Sequence, residues 1–273
     1  MYVDFNITTA DAAYCFLLNT LDFYAGDLII EFLVNSDRNV DTFVERNMYR
    51  MKNLDIDHIR FIAYHVTASL DDCMEIKATG IRNLQYVLSH DTMLSRFLKF
   101  GGIQFDIENR MMLVDDTGIN IDYEIYRGRQ LGTIEEKQLE AVAHRVCYDY
   151  CVDGFFTSDD VRRYGTDIHE RPEFISKLIK ISPEAEKLDK YWRTNSKPYK
   201  VFFFATLNQI HKFTFDLENN YLPYSEYEKE QIKRWMLGWA VDRAFNPCGD
   251  SYIYIRDNEY IPPDQIISCE FIE

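Results

Sequence analysis

An α+β fold is predicted for this chain on three observations. Strand-forming runs are scattered among helices, two of them make a hairpin, and no repeat, low-complexity tract or Pro/Gly-rich linker divides the 273 residues. The expectation is a single compact domain over 1–273, mainly helical at about 1–56 and with a mixed core at about 57–273. That length can bury a sizeable core, and 47% apolar with 15% aromatic residues argues against disorder.

Residues 59–66 (Ile59 to Val66) are rich in β-branched and aromatic side chains and predict a strand. Ser69 follows as a helix N-cap with Asp71 and Asp72 in the first turn, where negative charge suits the dipole, and Gly80 ends that helix. A second helix is expected over about 83–100, stopped by Gly101 and Gly102. Residues 103–107 and 110–114 then form a hairpin around Glu108 and Asn109, and 119–126 add a third strand. Thr133 with Glu136 makes a capping box, followed by Leu139, Val142, Ala143, Val146 and Tyr150 at helical spacing. Ser225 with Glu228 repeats the device, and the stripe Ile232, Trp235, Met236, Trp239 predicts core. Residues 199–205 hold four consecutive strand formers, Val201 to Phe204, as in a strand buried on both faces. Strands at 252–255 and 266–272 flank the turn at Pro262 and Pro263.

Lys and Arg total 30 against 45 Asp and Glu, a net charge of -15. A chain that coats DNA or an anionic membrane needs a positive surface, so that class is disfavoured. The N-terminus has no basic leader before an apolar run, and the most apolar window, 12–34, is interrupted by Asn19, Asp22, Asp27 and Glu31. A membrane helix needs about 20 mostly uncharged residues. A soluble, cytoplasmic protein without a membrane partner is expected. Of the six cysteines only Cys147 and Cys151 are close, inside an expected helix, with no second ligand pair at zinc spacing. They are read as reduced thiols, and no metal is expected. Asp115-Asp116 and Asp159-Asp160 read as caps and solvated faces, and no Walker or Rossmann glycine pattern is present.

Three segments carry chemistry. Tyr64-His65-Val66-Thr67 ends a strand and places a histidine and a hydroxyl on one face, and a helix start beside them offers free N–H groups to a ligand. That arrangement can cradle a nucleotide. The second segment runs from Asp250 past Glu259 to Pro262-Pro263, and the third from Asp153-Gly154-Phe155-Phe156 to Tyr164.

The first segment resembles the opening motif of the ADP-ribosyltransferase fold, found in DarT-type DNA-modifying toxins, tRNA phosphotransferases and poly(ADP-ribose) polymerases. There a strand ending His-x-Thr or His-x-Ser precedes a helix ending in glycine plus an aliphatic residue, as Gly80-Ile81 stands here. The resemblance implies an ADP-ribosyltransferase-like mixed sheet with additional helices, and NAD as substrate. It implies that His65 bonds the adenosine ribose and that Thr67 orders the pocket. Val66 stands where the polymerases have glycine, which leans toward the DarT-like branch. The C-terminal segment is similar to the late strand carrying the family's catalytic glutamate. Counting back from Pro262 puts that residue near Ser251 or Tyr252, with Asp250 the nearest acid. Glu259, in Asn258-Glu259-Tyr260-Ile261, matches by type but stands close to the turn. Glu259 is the first candidate by residue type and Asp250 the second, and Tyr164 resembles the tyrosine under the nicotinamide.

The implied activity is NAD-dependent ADP-ribosyl transfer to a nucleic-acid or protein acceptor, as in a bacterial toxin or phage-defence effector held by an antitoxin. The alternative is a non-enzymatic acidic interaction protein (antitoxin, immunity protein or inhibitor) whose charge answers a basic partner. Lys187, Lys190, Arg193, Lys197 and Lys200 interleave with Tyr191, Trp192 and Tyr199. That composition suits single-stranded nucleic acid, or cations lying over structural aromatics.

Overall fold

The computed structural model describes residues 2–148, 151–218, 222–247, 249–257 and 259–273, so Tyr150, Cys248 and Asn258 lie outside the described residues. In chain order the elements are β1 (Val3–Asn6), α1 (Ala10–Leu21), α2 (Ala25–Ile30), α3 (Val40–Asn47), β2 (Ile59–Ser69), α4 (Met74–Thr79), α5 (Leu84–Ser89), α6 (Met93–Phe100), β3 (Ile103–Asp106) and β4 (Met111–Val114). There follow β5 (Thr117–Asn120), α7 (Ile134–Tyr148), β6 (Asp153–Thr157), α8 (Glu173–Leu178), α9 (Pro183–Asn195), β7 (Lys197–Thr206), α10 (Glu226–Phe245), β8 (Ser251–Tyr254) and β9 (Ile266–Phe271). The fold is α+β, as the sequence predicts. The residues group into two compact units, 1–65 with 153–159 and 202–255, and 66–152 with 160–201 and 256–273. Residues 1–65 all belong to the first unit.

In the first unit the strands lie in the order β8-β6-β2-β7, with β1 parallel along β2 from Val3 opposite Ile59. The 59–66 and 252–255 runs therefore share one sheet, a single strand apart. Thr9 caps α1 by accepting the Ala12 N–H, and Ser225 and Glu228 close the predicted box on α10. α1 and α10 pack on each other, and Phe5 sits among Phe16, Phe61, Phe156 and Trp235 at centroid distances of 5.1–5.9 Å. Trp235 thus belongs to the core, as its helical spacing predicts. β1 was not anticipated. Four residues are too few to show a period of two.

β7 departs from the expected two-sided burial. Val201, Phe203 and Ala205 are buried, but Phe202 and Phe204 on the other face are half-buried, and Arg60 lies 5.1 Å over Phe204.

In the second unit β3-β4-β5 form a separate antiparallel sheet and β9 runs beside the first half of β7. Its core gathers Leu98, Ile103, Met112, Val142, Ile175 and Trp192. Two expectations change here. The helix over 83–100 is two helices, because Ser89, His90, Asp91 and Thr92 favour caps over helix interior. Thr92 caps α6 in a box with Ser95. Ser69 ends β2 instead of capping a helix: its hydroxyl accepts the Asp71 and Cys73 N–H groups, and α4 begins only at Met74. The Thr133–Glu136 box forms as predicted, while Cys151 falls beyond the end of α7.

Candidate functional site

β2 brings His65 to the sheet because Ile59, Phe61 and Ala63 bury one face and Ile62, Tyr64 and Val66 the other. The histidine is the first residue of its face to reach solvent, with 29% of its side chain exposed. Its Nδ1 lies 2.9 Å from the Asp153 carbonyl oxygen on β6. A carbonyl can only accept, so Nδ1 carries the proton and, in the neutral ring, Nε2 is left as an acceptor. A ribose hydroxyl is the kind of donor such an atom takes. With Tyr64 opposite Phe155, Gly154 comes opposite His65. A Cβ at Gly154 would stand 2.9 Å from the Tyr64 carbonyl oxygen, so only glycine permits this close approach.

The other face of the same sheet carries an aromatic row. Tyr64 stacks on Phe155 at 5.6 Å and 18°, Phe155 meets Tyr252 at 5.3 Å, and Phe202 lies 5.4 Å from Tyr64. Tyr64 is 1% exposed. Burial raises its phenol well above the ordinary range, the Asp250 carboxylate adds to this, and Arg243 and a hydrogen bond with Ser158 oppose it. The phenol is therefore a permanent proton carrier at neutral pH.

Asp250, just before β8, is exposed and accepts the Tyr252 hydroxyl at 3.2 Å. Arg243 on α10 reaches Asp159 at 3.5 Å and donates to the Thr8 carbonyl at 3.4 Å. Its Nε and the Thr157 hydroxyl are buried with no hydrogen-bond partner among the described residues. Asp250, Tyr64, Ser158, Arg243 and Asp159 thus form a polar group around the end of β6. Sequence reasoning named Asp250 as a candidate acid, carried Tyr64 only within the His65 motif, read Asp159 as a solvated acid and missed Arg243. Thr157-Ser158-Asp159 directly follow the Gly-Phe-Phe run that had been singled out, whereas Arg243 sits on a helix whose pattern says only core.

The remaining candidates belong to the second unit. Thr67, half-buried, shares the His65 face of β2, and the chain passes from one unit to the other between His65 and Val66. Gly80-Ile81 and the segment before Pro262, the two motif ends of the sequence, meet directly. Ile81 N–H donates to Ile261 at 2.8 Å, and Ile261 N–H returns a bond at 3.2 Å. Arg82 lies 3.3 Å over the Tyr260 ring. Glu259 is exposed in the turn, its N–H bonded to the Arg256 carbonyl at 2.8 Å. Tyr164 ends the short helical turn Val161–Arg163 and is half-buried.

Two expectations about binding are corrected. The free helix N-terminus beside His65 is absent, since residues 69–73 form a turn and the Glu75 N–H is taken by Asp71. The basic stretch is largely spent internally. Arg193 pairs with Asp189, Asp167 and Glu170, Lys187 with Glu184 and Lys197 with Asp72, while Trp192 Nε1 donates to the Ala68 carbonyl.

Among the described residues, no group of three or more His, Cys, Asp or Glu could hold a metal ion, and no helix is long and apolar enough to cross a membrane. No family model, curated protein or solved structure matches the chain.

Proposed function

We propose that this protein transfers ADP-ribose from NAD to a nucleic-acid or protein acceptor, on a fold of the ADP-ribosyltransferase kind. The observation that carries the proposal is the strand order β8-β6-β2, which brings the strand that follows Asp250 and the strand that holds His65 into one sheet with one strand between them. The pairing of Gly80-Ile81 with Ile261 supports it from the other ends of the same two motifs.

In this reaction the bond between nicotinamide and the ribose breaks, and nicotinamide leaves with the electron pair. The acceptor's oxygen or nitrogen bonds to the same carbon and releases its proton to solvent. A carboxylate near that carbon offsets the developing positive charge. Asp250 is preferred to Glu259 for this role, because it shares a unit with His65 whereas Glu259 belongs to the other unit. His65 accepts a ribose hydroxyl at Nε2, and Thr67, in the other unit, does not enter the proposal. Tyr164 does not enter the proposal. A toxin or phage-defence effector acting in the cytoplasm fits such chemistry.

The test is nicotinamide release from NAD with single-stranded DNA, RNA and protein acceptors. Asp250→Asn should cut the rate by about 10²–10³ while NAD binding survives. Loss in Glu259→Gln with an active Asp250→Asn moves the acid to Glu259. Wild-type rates in both variants, or no release by wild type with any acceptor, overturn the proposal.

One observation favours the acidic interaction protein instead. Tyr24, Ile29, Ile30, Leu33 and Val34 expose 39–82% of their surface along α2 and the turn after it, a grouping more usual of a contact face than of a free monomer surface.

A further inference from the structure

The second unit contains an open cleft of about 260 Å³ that none of the motif residues line. Its floor is apolar: Leu88 of α5, Leu98 of α6 and Ile103 of β3 are almost fully buried, and Phe105, half-buried, rests 5.4 Å from Phe174. Its rim is polar, and the partners already made there decide what it can take. Arg96 is held by two carboxylates, Glu75 at 3.4 Å and Asp91 at 3.2 Å. The Ser95 hydroxyl donates to the His90 carbonyl and accepts the Thr92 N–H, and the Ser89 hydroxyl lies 2.9 Å from His90 Nδ1. Two rim groups remain without a partner among the described residues: the Lys99 ammonium and the Gln104 side-chain amide.

The cleft therefore offers apolar floor residues, one ammonium that makes no ion pair among the described residues and one amide that both donates and accepts. We propose that it binds a small organic monocarboxylate, with an aromatic or aliphatic body on Phe105 and Leu98 and the carboxylate on Lys99. The charge count selects carboxylate over phosphate. A phosphate ester carries close to two negative charges at neutral pH, and beside Asp91 and Glu75, which already balance Arg96 and Lys99 in number, a dianion is repelled more than a monoanion. A flexible lysine acting as a point charge matches a single anionic group. In a chain of net charge -15, a lone unpaired ammonium above an apolar floor is also the local feature that draws an anion at all. This inference does not rest on the NAD proposal, because the cleft lies within the second unit and contains neither His65 nor Asp250.

The experiment is an amide chemical-shift titration of the full chain with phenylacetate, indole-3-acetate and hexanoate at millimolar concentration. Indole-3-acetamide and phenyl phosphate serve as comparison probes. Saturable shifts at Leu88, Lys99, Gln104 and Phe105 are expected for at least one carboxylate. Lys99→Gln should weaken binding about tenfold or more, consistent with loss of a charge-assisted hydrogen bond. Lys187→Gln, whose lysine already pairs with Glu184, should leave it unchanged. Lys99 is exposed and Gln is a good helix former, so the variant should fold as wild type does. No saturable shift with any carboxylate, equal affinity in Lys99→Gln, equal binding of the neutral amide, or tighter binding of phenyl phosphate would each overturn the proposal.

Discussion

Replacing Gly80 by alanine tests the junction at which the two motif segments meet. Gly80 closes α4 with φ 84° and ψ -177°, a conformation open to glycine and costly for other residues. An alanine Cβ would stand 2.1 Å from the Ile261 carbonyl oxygen and 3.0 Å from the Pro262 Cα. Both are backbone atoms, so no side chain can swing aside. The backbone strain is worth about 1–3 kcal/mol. The clash falls on the oxygen that accepts the Ile81 N–H, so the Ile81–Ile261 pair opens, at about 0.5–1.5 kcal/mol for each of its two bonds. Together these predict a loss of roughly 2–6 kcal/mol in urea unfolding. Hydrogen exchange should show the Ile81 and Ile261 amides deprotected in the variant. Gly26→Ala is the control: it lies in α2 with nothing within 4 Å of a new Cβ, and should be neutral or stabilising by up to about 1 kcal/mol. A Gly80→Ala loss below about 1 kcal/mol, with Ile81 protection intact, would refute the reasoning.

Two further predictions concern pH. Glu228 accepts the Lys212 ammonium at 2.7 Å and the Ser225 N–H at 2.7 Å, and its carboxyl is held down to about 2, chiefly by Lys212. A depressed acid contributes stability that is complete above its unfolded value near 4.5 and is lost as pH falls toward 2, so Glu228→Gln should flatten that acid limb in circular-dichroism melts. His169 is pushed below its usual 6.5, first by burial, with Arg162 and Arg193 adding to the shift and Asp167 and Asp160 opposing it. The neutral ring is therefore favoured in the folded state, and stability should decline as pH drops below 6.5. His169→Asn should remove that part of the decline, and an unchanged profile would reject the assignment.

The elements that could be read directly are those whose signal is local. The Thr133–Glu136 and Ser225–Glu228 boxes, the stop at Gly80 and the hairpin turning at Glu108-Asn109 each depend on residues within a few positions of one another. What stayed hidden depends on partners distant in sequence. Arg243 looks like a surface residue of a core helix until folding brings it to Asp159, and the basic-aromatic run at 187–200 looks open until Asp167, Glu170 and Asp72 are seen beside it. Ser69 misled because a hydroxyl that serves a turn and one that serves a helix cap are the same signal before the next backbone angles are known. Asp72 and Cys73, both at positive φ, decide for the turn.

The pairing of α1 with α10 has a consequence during synthesis. Roughly 200 residues separate the two helices, so at ribosomal speeds the partner of α1 emerges about 10–40 s later. Through that interval Phe16, Leu17 and Leu21, each no more than 5% exposed in the finished chain, lack the cover that α10 gives to their helix. The nascent N-terminus is thus a natural client for chaperones. A C-terminal deletion that removes α10 should leave an aggregation-prone product, not a smaller folded one.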